Sequence, residues 1–219
     1  MALGITEPVA EVNDTTNTNS YAFGAFTPTA NSYLVVIGSL SGLVGGPPTM
    51  SGGSLTWTLQ QSQTGGGQYL FLFTAPTGAS PASCTATIAG ITSATGCTMG
   101  IFQVTGTNLT LVQSTTNTGT SATPTVTFSA ALNTNNAYCS GAEINGRNSN
   151  EFTPPTSWTE IFDASHGTPA DAVTGNYRVN GESSTTVTYG SMATGSGTWG
   201  VVGIEFSEGT TFVAQVIII

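Results

Sequence analysis

Short runs of β-branched and aromatic residues recur along the chain from Tyr21 onward, and clusters of Gly, Pro, Asn and Ser separate them. This pattern is typical of a β-sandwich or barrel. It lacks the apolar spacing of an amphipathic helix. The runs predict thirteen strands, at residues 32–37, 54–60, 68–75, 83–89, 100–105, 109–113, 123–129, 136–143, 159–162, 175–179, 185–189, 198–206 and 211–219.

So many short strands in one chain predict an all-β fold, a two-sheet antiparallel β-sandwich of the jelly-roll-like kind. The segment from Tyr69 to Phe73 alternates aromatic residues with leucines and is therefore apolar on both faces. A strand of this kind is typically buried on both sides. We therefore expect it to lie in the core.

The chain matches itself weakly when it is shifted by about 100 residues, which predicts that its two halves share a strand order. Internal duplication and a merely β-rich composition both explain such a match. The matching segments are Phe26 with Phe128, 54–58 with 155–159, and 94–101 with 193–201, the last with one extra residue.

Three regions are expected. Residues 1–20 are polar and acidic and predict an extended N-terminal arm. No clean linker divides the rest, so we predict one sandwich domain at 21–207, with two domains as the alternative. Residues 208–219 predict a C-terminal strand.

The C-terminal strand ends on bare apolar residues. An unpaired edge of this kind promotes aggregation. The strand must therefore pair, either within its own sheet or as an added strand in a neighbouring subunit. The residues that would form this assembly strand are Phe212, Val213, Val216, Ile217, Ile218 and Ile219.

Charged residues make up only 6 % of the chain, and the formal net charge is −9. Arg147 and Arg178 are the only strongly basic residues. Because nucleic-acid binding requires clustered Lys or Arg, we predict that the protein does not bind nucleic acid. No stretch reaches the roughly eighteen apolar residues of a membrane span, so no membrane partner is expected. The N-terminus does not resemble a secretory signal.

Catalytic and metal-binding residue types are scarce. The only histidine, His166, lies in a Gly- and Pro-bounded segment and is expected in a surface loop, which disfavours a Ser-His-Asp triad. The cysteines, Cys84, Cys97 and Cys139, are odd in number and lack a C-x-x-C spacing. They are either reduced, partly buried thiols or include a Cys84–Cys97 bridge.

Calcium binding would use carboxylate and carbonyl oxygens, and Asp163, Asp171 and the backbone around Gly167 are the residues that would converge. The chain contains no EF-hand loop. We therefore predict no metal ion and no other cofactor.

Glycoside hydrolysis needs two carboxyl groups facing each other, and Glu143 and Glu205 are the candidates. By strand alternation, Glu205 shares a face with Trp199, and together with Trp158 these residues are candidate sugar contacts. The alternative is that both tryptophans belong to the core or a sheet edge, that Glu205 lies on a solvated face, and that Glu143 pairs with Arg147. We favour this alternative and predict that the protein is not an enzyme.

Four segments carry a resemblance to a known class of module: Thr27-Pro-Thr-Ala-Asn-Ser-Tyr-Leu-Val-Val36, Leu55-Thr-Trp57, Tyr69-Leu-Phe-Leu-Phe-Thr-Ala-Pro76 and Trp199-Gly-Val-Val-Gly-Ile-Glu-Phe206. In this order they resemble a β-sandwich module of bacteriophage virion structural proteins and of some bacterial extracellular proteins, over residues 20–207. In its Thr-, Gly- and Asn-rich, lysine-poor composition, the chain is also similar to capsid decoration proteins and tail-fibre domains. These motifs are structural, so the resemblance implies fold and setting and transfers no active site.

The resemblance implies a phage virion structural protein, a capsid decoration or minor capsid protein acting by protein–protein contacts. Its expected partners are other virion proteins, above all the major capsid protein, and further copies of itself. It would be made in the host cytoplasm without a signal peptide and reside in the virion. A tail-fibre module that binds a receptor or carbohydrate is the first alternative, and a sandwich-fold glycosidase is the second.

Overall fold

The computed structural model describes residues 2–42, 46–65, 68–92, 94–147, 152–167, 170–192 and 197–209. The described residues form sixteen strands joined by turns and bends, and they contain no helix. None of the described residues therefore belongs to a helix able to cross a membrane. The all-β fold predicted from the sequence is confirmed.

The strands, in chain order, are β1 (Gly4–Thr6), β2 (Val12–Asp14), β3 (Tyr21–Ala22), β4 (Tyr33–Ser41), β5 (Thr49–Ser51), β6 (Thr58–Gly65), β7 (Gln68–Pro76), β8 (Thr87–Ala89), β9 (Gly96–Thr105), β10 (Leu109–Gly119), β11 (Thr125–Thr127), β12 (Ala137–Ile144), β13 (Thr159–His166), β14 (Asp171–Val179), β15 (Thr186–Thr188) and β16 (Trp199–Glu208). The predicted strand at 211–219 lies outside the described residues.

Two main antiparallel sheets form the centre of the molecule. The first has the order β1-β9-β4-β7-β6, with β2 also paired to β9, and the second has the order β10-β16-β12-β14-β13. A three-stranded sheet, β3-β8-β5, and a two-stranded sheet, β11-β15, complete the structure. The residues expected to form an N-terminal arm thus add two short strands to the first main sheet.

Three apolar clusters separate four layers of strands. The inter-sheet core lies between the two main sheets and includes Val35, Ile37 and Val202. An outer core lies between the first main sheet and β3-β8-β5, and another lies between the second main sheet and β11-β15. Because each main sheet is covered on both faces, its central strands are apolar at successive positions. The prediction that 69–73 is buried on both sides is confirmed.

The two halves of the chain repeat one arrangement, as the weak sequence match predicted. The order β6-β7-β4-β9 is matched by β13-β14-β12-β16, and β1 with β2 takes the place of β10. Both hairpins contain a register shift at the same place, between Leu59 and Gln61 and between Glu160 and Phe162. The halves are therefore equivalent in strand order and in register.

The strand registers correct one detail of the predicted match between the two halves of the chain. Tyr33 pairs with Val104 in the first half, and the equivalent Ala137 pairs with Phe206 in the second. Val104 therefore corresponds to Phe206, and Ile101 to Gly203. The predicted match of Ile101 with Val201 is wrong by two residues, a shift that keeps each side chain on its predicted face.

The equivalent strands β4 and β12 face each other across the inter-sheet core. A Cβ added at Gly141 would overlap Ile37, and Ser41 bonds to Asp171, which lies beside the end of β12. The two strands therefore run in the same direction. A pseudo-twofold axis parallel to the strands relates the halves, which places equivalent ends of the two sheets at the same end of the sandwich.

Candidate functional site

The two glutamates predicted as a carboxyl pair lie on opposite faces of the second main sheet. Glu143 points into the inter-sheet core beside Gly200, whereas Glu205 is paired with Tyr138 and belongs to the outer face. Their exposed fractions are only 0 % and 1 %. The expectation of a solvated Glu205 is therefore wrong. They also cannot flank one substrate, which removes the geometric basis for a glycosidase that uses these two residues.

Glu205 accepts three hydrogen bonds. The backbone N–H of Asn133 and the side-chain amide of Asn136 donate to Oε1, at 3.0 and 2.7 Å, and the Gln113 amide donates to Oε2 at 2.6 Å. Bonds to an ionised acceptor are stronger than neutral ones. The carboxylate thus fixes the loop before β12 against β10.

The first half contains the same arrangement, which explains the role of Glu205. Gln103 is the equivalent residue, and the backbone N–H of Thr29 donates to its Oε1 at 2.7 Å. The Gln103 amide donates to the hydroxyl of the same threonine at 2.8 Å. Thr29 is equivalent to Asn133, so each half anchors the loop before its central strand in one way. Glu205 is therefore a structural residue.

An open groove of about 660 Å³ lies above this anchor. Asn133 and Asn135 are exposed in it, and Val112 is the large apolar side chain at its rim. Amide groups of this kind can donate to and accept from hydroxyls. The groove therefore offers hydrogen-bond donors and acceptors to a small polar ligand.

Both tryptophans predicted as candidate sugar contacts are buried. Trp158 donates its indole N–H to Glu182 at 3.3 Å, and Trp199 donates to the backbone carbonyl of Ser121 at 2.9 Å. Both rings belong to the outer core of the second half. Trp158, Trp199 and Glu205 therefore do not form one exposed platform.

A second group of polar residues lies inside the sandwich. The inward positions of β4 change from Val35 and Ile37 to Ser39 and Ser41, and polar residues occupy the adjoining inward positions of β7, β12 and β14. We call this group the polar end of the inter-sheet core. Its members are Ser39, Ser41, Gln68, Glu143 and Asp171, all buried.

Asp171 is held by both halves. The Ser41 hydroxyl donates to Oδ2 at 2.5 Å, and the Gly146 N–H donates to Oδ1 at 3.2 Å. Burial raises the pKa of Asp171, and hydrogen bonds from Ser41, Gly146 and Gln68 oppose that rise. The carboxyl group therefore crosslinks the two main sheets at the polar end.

Glu143 is buried without such support. Neither carboxylate oxygen has a partner with hydrogen-bonding geometry among the described residues, so the expected pairing with Arg147 is wrong. Burial, and then the nearby charge of Asp171, raise the pKa of Glu143 well above its usual value, while the backbone of Gly200 lowers it. The site therefore favours a neutralised Glu143.

His166 is the last residue of β13 and is buried, so the expectation of a surface loop is wrong. Its Nδ1 lies 3.0 Å from the Thr98 hydroxyl, which in turn lies 3.3 Å from Asn13 Oδ1. Burial lowers the pKa of His166 to about 4. The neutral ring packs the edge of β13 against β9 and β2.

The other predicted sites have simple outcomes. All three cysteines are buried free thiols, so the structure contains the reduced alternative. Asp163 pairs with Thr174 on the outer face, whereas Asp171 points inward, so their predicted convergence is wrong. Within the described ranges, no group of three or more His, Cys, Asp or Glu side chains is placed to hold a metal ion. The assembly-strand residues Phe212 to Ile219 lie outside the described residues.

Sequence reasoning did not identify the polar end as a unit. The signal was the change from Val and Ile to Ser at alternate positions of β4, with Gln68 and Asp171 each at the start of a strand.

Comparison of the chain with protein-family models, curated proteins and solved structures finds no match. Its function must therefore be argued from the molecule itself.

Proposed function

We propose that this protein is a structural component of a bacteriophage virion, a capsid decoration or minor capsid protein that acts by protein–protein contacts. Its partners would be other virion proteins, above all the major capsid protein, and further copies of the same chain. It would reside in the virion after synthesis in the host cytoplasm. The proposal implies no reaction.

The charge-poor surface is the observation that supports this proposal most. Only 6 % of the residues are charged, and Glu143, Asp171 and Glu205 are removed from the surface by burial. The centres of protein interfaces are depleted of charged residues because desolvating a charge is costly. A surface built from hydroxyls and amides therefore costs less to cover with a neighbouring protein than a charged surface does.

The sheet edges favour contacts through faces and loops. The edge strands β6, β13 and β10 each contain a register shift, the last between Leu111 and Gln113, and the remaining edge is divided between β1 and β2. Bulged and short edge strands hinder pairing with another sheet. Donation of 212–219 to a neighbour would therefore need an acceptor other than these edges, and that strand stays a prediction.

The test is the location of the full chain. Particles purified from a lysate in which the gene is expressed from its own genome should contain the chain at a fixed copy number, measured by quantitative mass spectrometry. Removal of the chain's last five residues should reduce particle binding if the assembly strand contributes. Absence of the full chain from purified particles would refute the proposal.

A carbohydrate-binding tail-fibre module is the second candidate, and the amide-lined groove above Glu205 favours it. A glycan array should then show a ligand whose binding is weakened by Asn135→Ala, which alters an exposed groove residue. Asn19→Ala is the matched control, because it removes an exposed amide in the N-terminal segment. Equal binding by both variants, or silence on every glycan, would refute this candidate.

A further inference from the structure

The polar end of the inter-sheet core contains buried oxygen atoms that the described residues leave without partners. They are both carboxylate oxygens of Glu143, the hydroxyl of Ser39 and Oε1 of Gln68. The side chains are 0 %, 0 % and 6 % exposed, respectively. Buried polar atoms in native proteins are almost always bonded to a partner. Four such atoms in one part of the core point to a ligand for them.

These oxygens lie in one region between the sheets. An added Cβ at Gly200 would lie 3.0 Å from Glu143 Oε1 and 3.3 Å from the side chain of Leu70. Leu70 pairs with Ser39, and Gln68 is the next inward residue on the same strand. The Gln68 side chain also lies close enough to Asp171 to lower the pKa of its carboxyl group. The register therefore places both carboxyl groups beside the two neutral oxygens.

Charge makes the arrangement costly unless it is neutralised. Two carboxylates inside a low-dielectric core repel each other and lose their hydration. A proton on Glu143 removes one charge, but neither of its oxygens contacts a partner with which that proton could be shared. A cation contacts several oxygens that are not bonded to one another and neutralises both carboxylates at once.

We propose that the polar end of the inter-sheet core binds calcium through the carboxylates of Glu143 and Asp171, with the Ser39 hydroxyl and Gln68 Oε1 as neutral ligands.

The donor set selects the class of ion. All the donors are oxygens, which hard cations prefer to nitrogen- or sulfur-rich sites. Calcium accepts six to eight oxygens in flexible geometry, whereas magnesium requires a near-ideal octahedron and retains its water. The two carboxylates of this site are fewer than those of high-affinity calcium loops. We therefore expect a dissociation constant of roughly 10⁻⁵ to 10⁻³ M.

The experiment uses the full chain after dialysis against a chelator. Calcium should bind with a stoichiometry of one in isothermal titration calorimetry. At about one hundred times the dissociation constant, it should raise the melting temperature by roughly 5 to 10 °C. Magnesium should raise the melting temperature less. Elemental analysis of the protein before dialysis identifies an ion that is already bound.

Three variants locate the effect. Glu143→Gln is nearly isosteric and should abolish the calcium-dependent shift, while Ser39→Ala should weaken it. Glu11→Gln removes one carboxylate at an exposed position and should respond to calcium as the wild type does. If Glu143→Gln does not fold, Ser39→Ala and Glu11→Gln still provide the comparison.

Two results would overturn the proposal. One is a wild-type protein that contains no metal and whose melting temperature does not respond to calcium. In that case, a Glu143→Gln variant that is more stable than wild type at pH 7 would show that Glu143 is protonated. The other is a calcium shift that persists unchanged in both Glu143→Gln and Ser39→Ala, because the ion would then bind elsewhere.

Discussion

The two halves of the chain share a backbone arrangement and differ in the side chains that they direct into the inter-sheet core. At the polar end, the first half contributes the neutral oxygens of Ser39, Ser41 and Gln68, whereas the second contributes the carboxyl groups of Glu143 and Asp171. Gln68 and Asp171 are equivalent positions. A repeated fold therefore supplies two different halves of one buried polar cluster, and neither half forms it alone.

A second difference lies at the equivalent hairpin bulges. Phe162 of the second half packs so closely over Gly100 and Gly175 that a Cβ at either glycine would overlap its ring. Its first-half equivalent, Gln61, instead donates a hydrogen bond to Ser114 at the sandwich edge, at 2.9 Å. The same hairpin bulge thus places an aromatic residue in the inter-sheet core in the second half of the chain. In the first half, it places a polar residue in a contact at the sandwich edge.

The largest predicted effect follows from that difference. Phe162→Ala should destabilise the protein by about 3–5 kcal/mol, because it leaves a cavity in the inter-sheet core. The equivalent change, Gln61→Ala, should cost less than about 1.5 kcal/mol, since it removes one partly exposed hydrogen bond. Urea unfolding of both variants gives the comparison. Equal losses would show that the two bulges are energetically alike.

His166 has no side-chain counterpart, because Gly65 is equivalent to it. Its folded-state pKa of about 4 lies below the usual 6.5, so the unfolded chain takes up a proton first. Stability from the neutral ring is complete above pH 6.5 and is lost as the pH falls to about 4. We expect this loss to reach about 3 kcal/mol in wild type and to be absent from His166→Gln.

The measurement is the difference between wild type and His166→Gln in urea unfolding across this pH range. Asp171, which pairs with His166 across the β13–β14 hairpin, is present in both proteins, so its contribution largely cancels in the difference. Parallel pH profiles would mean that His166 is not held neutral.

Variants at Gly141 test the pseudo-twofold axis, because Ile37, the equivalent residue of the first half, lies directly opposite Gly141 across the inter-sheet core. Gly141→Ala should cost about 1–3 kcal/mol by overpacking against Ile37. Ile37→Ala removes the obstacle, so the double variant should be less destabilised than the sum of the two single variants. Thermal unfolding of the three variants measures this coupling. Strict additivity would contradict the proposed contact.

The smallest effect is expected at the loop anchors. Glu205→Gln should cost about 1–2 kcal/mol, since three donors converge on a side chain that would itself carry a donor. A neutral glutamine, Gln103, can anchor the loop of the first half because Thr29 supplies one backbone N–H donor and one hydroxyl. The hydroxyl accepts the hydrogen bond that the Gln103 amide donates. Chemical denaturation measures the loss. Wild-type stability in Glu205→Gln would show that the anchor needs no charge.

The sequence alone determined the all-β class, most strand positions and the repeat. These follow from short-range alternation and turn residues, which depend on neighbours in the chain. It predicted that the segment from Tyr69 to Phe73 would be buried on both sides, and this was confirmed. The face shared by Trp199 and Glu205 also followed from alternation. The local sequence pattern did not predict strand pairing, because alternation within one strand does not specify which strands are its neighbours in the sheet.

Tertiary structure alone decided the environment of the polar residues. His166 lies in a Gly- and Pro-bounded segment, and Glu205 has an ionisable side chain; both features favour exposure, yet both residues are buried. Ser41 and Asp171 are far apart in the chain and meet only because the pseudo-twofold arrangement brings equivalent strand ends together. Burial and polar contact depend on which sheet covers which face. That is a property of packing between distant segments, and the sequence pattern within one strand does not contain it.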